Sequence, residues 1–107
     1  MAVVQISCTP LGEGSGGISK FVAGCLRLVK ESGLEYQLTP MGTIVEGDID
    51  EIFTLLRRMH ESPFTAGAQR VSTLIKIDDR RDREHTMQRK LASVHKHMEQ
   101  DENPPRN

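Results

Sequence analysis

Twelve residues, from Tyr36 through Thr39, Pro40, Met41, Gly42 and Thr43 to Gly47, leave this chain few ways to fold. Pro40 and Gly42 are turn formers, and they interrupt two runs that alternate apolar and polar residues. That pattern predicts a β-hairpin. Helical periodicity lies on both sides of it, over Ile18 to Ser32 and over Ile49 to His60. Each helix has one apolar stripe, and the hairpin's sheet is the nearest surface that can cover it.

The rest of the chain extends that sheet. Ala2 to Thr9 reads as a first strand, with Ala2, Val4, Ile6 and Cys8 on one face and Val3, Gln5, Ser7 and Thr9 on the other. The first helix carries Ile18, Phe21, Val22, Cys25, Leu28 and Val29 at helical spacing, with Ser15 a candidate cap and Gly33 its stop. Leu34, Tyr36 and Leu38 alternate with polar residues as strand two, and Thr43 to Gly47 forms strand three. Asp48 caps the second helix, with Glu51 spaced as in a capping box and Ile49, Ile52, Phe53, Leu56 and Met59 as its stripe. Ser62-Pro63 is expected to break that helix. In strand four, Val71, Thr73, Ile75 and Ile77 share a face. A third helix, from about Asp82 to Gln100, carries the narrow seam Met87, Leu91, Val94 and Met98. The order strand, helix, strand, strand, helix, strand is that of an α+β, ferredoxin-like βαββαβ sandwich with an added C-terminal helix. We expect one domain over residues 1–100 and a frayed tail over residues 101–107, which contain Pro104-Pro105.

The sheet face away from the helices is informative. Gln5, Ser7, Thr9, Gln37, Thr39 and Ser72 are mostly uncharged hydrogen-bonding residues, with Val3 and Leu74 among them. A freely solvated face usually carries more Lys and Glu, and a dry core carries none of these groups. The composition suits a surface paired with a polar ligand or a second subunit; a plain exposed face of small polar residues is the simpler reading. Uncovered edge strands also favour an oligomer.

Several function classes find little support. The net charge of -1, with 27% charged residues, gives no nucleic-acid footprint. No apolar run approaches the roughly 20 residues of a membrane span. Met1 leads directly into a strand pattern, so no signal peptide is expected. Cys8 and Cys25 both fall on apolar faces and read as buried thiols of a reducing, cytoplasmic compartment, with a disulfide or a reactive thiol as the lesser alternative. Gly12 to Gly17 matches Gly-x-Gly-x-x-Gly, but the antiparallel hairpin after the first helix is the wrong context for a dinucleotide site. A flexible loop is the better reading. His95 and His97 stand two apart on a helix and cannot chelate together, and His60 and His85 lack partners at ligand spacing. No metal, cofactor or nucleophile–base pair is expected, so the chain reads as a non-enzyme. Arg80, Arg81 and Arg83 alternate with Asp78, Asp79 and Asp82; this reads as a self-neutralising turn, or else Arg80 or Asp78 reaches a ligand or a neighbouring subunit.

The residues themselves carry a resemblance. Ser19-x-Phe21-Val22-Ala23 opens the first helix, and Ser32-Gly33-Leu34-x-Tyr36-x-Leu38 leads into strand two. Pro40-Met41-Gly42-Thr43 forms the hairpin, Glu46-Gly47 follows strand three, and strand four holds Arg70-Val71 and Lys76-Ile77-Asp78-Asp79-Arg80. Together these resemble the small thiamine-binding protein family. The resemblance implies a ferredoxin-like fold, assembly into homodimers and homotetramers, and non-catalytic binding of thiamine or its hydroxymethylpyrimidine moiety. An aminopyrimidine needs a flat apolar slot with a few fixed polar groups. Phe21, Tyr36 and Met41 are candidates to border that slot, although simple core packing is the stronger reading of Phe21 and Tyr36. Ser19, Thr39, Thr43 and the backbone at Gly42 could supply hydrogen bonds, and Glu46 could pair with a ring nitrogen or the thiazolium charge. A structural or regulatory homotetramer, whose assembly is its main role, is the alternative.

Overall fold

In a computed structural model, which describes residues 1–12, 18–82 and 87–102, four strands form one antiparallel sheet in the order β2-β3-β1-β4. The elements are β1 (Ala2–Pro10), α1 (Ile18–Ser32), β2 (Glu35–Thr39), β3 (Gly42–Gly47), α2 (Ile49–Thr65), β4 (Val71–Asp79) and α3 (Met87–Glu102). This is the α+β architecture expected, with α1 and α2 packed on one sheet face. The Gly-rich segment after Gly12, the Ser15 cap, Arg83, His85 and residues 103–107 lie outside the described residues.

The core lies between the helices and the two central strands. Val4, Ile6 and Val45 meet Cys25 and Val29 from α1 and Ile52, Leu55, Leu56 and Met59 from α2. Ile52 is fully enclosed, so truncation to Ala would cost about 2–5 kcal/mol. Gly33 stops α1 in the left-handed conformation, at φ 75°. The Asp48 carboxylate caps α2 by accepting from the Asp50 amide at 3.1 Å, not from Glu51 as a capping box would require.

Three local expectations change. Pro63 does not break α2 but sits inside its last turn, buried, and the helix runs on to Thr65. So close to the C-terminus the ring deletes one intrahelical bond, the one its missing N–H would give the Met59 carbonyl. The Cys25 thiol donates to that carbonyl at 3.5 Å instead. Phe53 is half exposed and Leu55 takes its place in the core, because the buried stripe is centred on Ile52, Leu56 and Met59. Val22 is likewise exposed.

The apolar residues of the edge strands are also less covered than their alternation implied. Tyr36 and Leu38 pair with Val45 and Thr43 and so share the helix-side face, yet both are exposed. On the opposite edge, Ile75 and Ile77 pair with Ile6 and Val4 and are exposed too. Two helices suffice to cover the central pair of strands but not the edges.

Candidate ligand-binding site

The second sheet face is built by register. Gln5, Ile44 and Gln37 form one row across β1, β3 and β2, with Lys76 beside Gln5 on β4. The next row holds Val3 between Glu46 and Asp78. The start of α3 crosses above these rows and brings Met87, Lys90 and Leu91 over them, enclosing a slot of about 260 Å³. Its floor and roof are apolar, from Val3, Ile44, Met87 and Leu91, while the amides of Gln5 and Gln37 lie on either side of Ile44. Each primary amide offers both donors and an acceptor.

Two contacts hold α3 in this position. Glu46 is only 8% exposed, and its carboxylate accepts from the Met87 amide at 2.7 Å. This satisfies an N–H that the helix itself cannot, and it places negative charge at the positive end of the helix. Lys90 pairs with Asp78 at the slot rim, both about half exposed, so the pair contributes under about 1 kcal/mol. Asp78 therefore bridges β4 to α3. Arg80 and Arg81 pair with Asp82 and Asp79 at 2.6 and 2.8 Å, which makes this turn largely self-neutralising.

A second cavity, of about 190 Å³, lies at the hairpin on the helix side of the sheet. Thr39, Met41, Gly42 and Thr43 line it, together with Cys8, Cys25 and Met59. The Thr39 hydroxyl is engaged by the turn: it donates to the Gly42 carbonyl at 2.7 Å and accepts from the Met41 amide at 3.2 Å. Met41 is 77% exposed at the tip.

The eight residues singled out in the sequence therefore do not form one site. Four gather at the hairpin cavity, while Glu46 stands on the opposite face beside the slot. Phe21 is buried, with Lys20 Nζ 5.0 Å from its ring centre; Ser19 is exposed on the first turn of α1, and Tyr36 lies on edge strand β2. Glutamines 5 and 37 were legible as members of an unusual polar face. The contribution of α3 was not, since nothing in its seam states which surface it crosses. No group of three or more His, Cys, Asp and Glu side chains among the described residues could hold a metal ion. Among the same residues, no helix is long and apolar enough to cross a membrane.

The model of the thiamine-binding protein family matches residues 4–95. The chain belongs to the thiamine-binding protein family. Family relatives include the UPF0045 protein YqgV of Bacillus subtilis, 38% identical over 92% of this chain and 99% of that protein. A UPF0045 protein of Methanothermobacter thermautotrophicus is 36% identical over 88% of this chain and 96% of its own. The crystal structure of hypothetical protein MJ1052 from Methanocaldococcus jannaschii superposes with a TM-score of 0.79 at 36% identity, covering 88% of this chain and 95% of that one. A Thermotoga maritima structure described as a putative thiamine biosynthesis/salvage protein has the same fold, with a TM-score of 0.75 at 20% identity over 87% and 97% of the two chains.

Proposed function

We propose that this family member binds thiamine or its hydroxymethylpyrimidine moiety without catalysis, as a cytoplasmic homo-oligomer that uses no cofactor. We place the ligand in the slot between α3 and the open sheet face. The observation that carries this placement is the row Gln5–Ile44–Gln37 beneath Met87 and Leu91. A flat heteroaromatic ring fits between apolar floor and roof, and its ring nitrogens and amino group then meet amides on both sides. Glu46, in the row next to the ring, supplies negative charge toward a thiazolium, whereas Asp78 is already paired with Lys90. The family match and the description of the Thermotoga relative support the ligand class.

Isothermal titration with thiamine and with hydroxymethylpyrimidine tests the reading. The expected outcome is dissociation in the micromolar range, near −8 kcal/mol, for at least one of them. Gln5→Leu and Gln37→Leu should each weaken binding about tenfold, the consequence of one lost hydrogen bond. If Thr39→Val weakens binding and the glutamine variants do not, the ligand belongs at the hairpin cavity. No heat and no thermal shift with either compound would end the carrier reading. A homotetramer whose assembly is the main role would then stand, and the exposed Leu74 on the same sheet face favours that reading.

A further inference from the structure

The slot carries a charge that recognition of a neutral ring does not use. Lys76 lines it from edge strand β4, in one row with Gln5, Ile44 and Gln37. Among the described residues its ammonium has no ion-pair or hydrogen-bond partner. The cations of the turn just beyond are treated differently, since Arg80 is matched by Asp82 and Arg81 by Asp79. Lys90, the second ammonium of the slot, reaches from α3 to Asp78. Two ammoniums and one carboxylate therefore line the slot, and Lys76 is the unmatched charge.

Register sets where that charge lies. Ile44, Gln5 and Lys76 stand on three adjacent strands, so the Lys76 backbone is roughly 10 Å from that of Ile44. A flat ring over Ile44 has Gln5 at its edge, and a substituent that crosses Gln5 heads toward β4, where the lysine stem reaches in to meet it. Lys76 and Asp78 are two apart on β4 and share this face, so the Lys90 ammonium held by Asp78 lies at the same end of the slot. An ammonium has three donors, so Lys90 can keep Asp78 and still donate to an anion. Glu46 lies on the β3 side. The slot is thus positive along β4 and negative toward Glu46.

We propose that the slot's preferred ligand is a phosphate monoester of the aminopyrimidine, its ring over Ile44 and its phosphate held by Lys76 and Lys90, a proposal that rests on the ring binding in this slot. Near neutral pH a phosphate monoester is close to a dianion with three acceptor oxygens, enough to take a hydrogen bond from each ammonium. A cationic substituent on the same arm would meet Lys76 and be repelled. Lys76 is then a specificity-determining residue that reads the substituent while Gln5 and Gln37 read the ring. An exposed lysine on an edge strand also serves to discourage strand pairing. That role affects solubility and leaves the choice between ligands untouched, so ligand preference separates the two.

Calorimetric titration of the full chain compares hydroxymethylpyrimidine, its monophosphate and inorganic phosphate at neutral pH and low salt. The monophosphate should bind about tenfold tighter than the parent alcohol, the effect of one charge-assisted hydrogen bond at the low end of its range for an exposed lysine. That advantage should shrink as salt rises from about 0.05 to 0.5 M. It should also shrink as pH falls below about 6, where the ester takes up its second proton. Lys76→Gln should cut the advantage to about twofold or less, and Lys76→Arg, which keeps the charge, should retain it. Equal affinity for ester and alcohol, or an advantage that Lys76→Gln leaves intact, overturns the proposal while ring binding in the slot stands. Inorganic phosphate binding as tightly as the ester also overturns it, since the ring would then contribute nothing. If neither pyrimidine binds, the slot itself is not the site and the proposal falls with it.

Discussion

Gly42 shows how one residue ties the hairpin to the rest of the sheet. Its φ is +150°, and a Cβ there would stand 2.8 Å from the backbone oxygen of Ile6 on the neighbouring strand. A backbone atom in a paired strand cannot step aside as a flexible side chain would. Gly42→Ala should therefore lower stability by about 1–3 kcal/mol, read as a shifted urea midpoint with an unchanged slope. The two thiols make a second residue-scale prediction, through pH. Relative to an ordinary value of 9.0, the folded Cys8 ionises earlier, near 7, and the folded Cys25 later. Between about pH 7 and 9 the unfolded chain holds more protons than the folded one, so the pair's contribution to stability rises with pH. Above about pH 9 the unfolded chain has lost both thiol protons while the folded one keeps Cys25's, so the contribution falls. The difference in urea stability between wild type and the Cys8→Ser/Cys25→Ser double variant should therefore peak in that alkaline window. A flat difference between pH 6 and 10 would contradict it.

At the scale of elements, α3 stands apart from the other two helices. Helices α1 and α2 are held along their length by the core, whereas α3 is docked by its first turns through Glu46 and Asp78. Leu91, Val94 and Met98 remain about half exposed. Fewer buried contacts mean local opening well below the global unfolding free energy. Amide exchange should therefore be faster in α3 than in α1 and α2. Glu46→Ala should raise exchange in the first turn of α3 while leaving α2 unchanged, since it orphans the Met87 amide at a cost of about 1–3 kcal/mol. If the ligand lies in the slot, adding it should slow exchange in that same turn.

For the whole molecule, the uncovered surface is the dominant fact. Leu74 is 74% exposed, and Ile75 and Ile77 beside it on edge strand β4 are exposed as well. An apolar edge strand with free backbone groups is a template for pairing. The radius of gyration, 17.2 Å, exceeds the roughly 13 Å of a compact chain of this length. A second copy would cover what this chain leaves open. Light scattering should return a multiple of the 12.0 kDa chain mass, and Leu74→Asp should shift it toward 12.0 kDa. A wild-type monomer at micromolar concentration would refute this.

Period-2 and period-3.6 apolar patterns, Gly33 after a helix and Pro40-Met41-Gly42 between strands are local signals, and local sterics and solvation suffice to read them. They yielded the element order, the ferredoxin-like class and the helix-facing side of β1. The departures are places where distant residues compete. Pro63 stays helical in the last turn of α2, where it removes one intrahelical bond, and Cys25 from another helix donates to the Met59 carbonyl there. Tyr36 and Leu38 stay exposed because two helices cannot span four strands. The candidate site was half legible: the odd polarity of Gln5 and Gln37 was visible, but the slot depends on Glu46 and Asp78 holding the start of α3 above them. Likewise, each cysteine alone reads as a buried apolar residue, and that both line one cavity depends on how α1 crosses β1. Periodicity determines which face of an element is apolar; which surface meets that face is a long-range choice that no short stretch of sequence encodes.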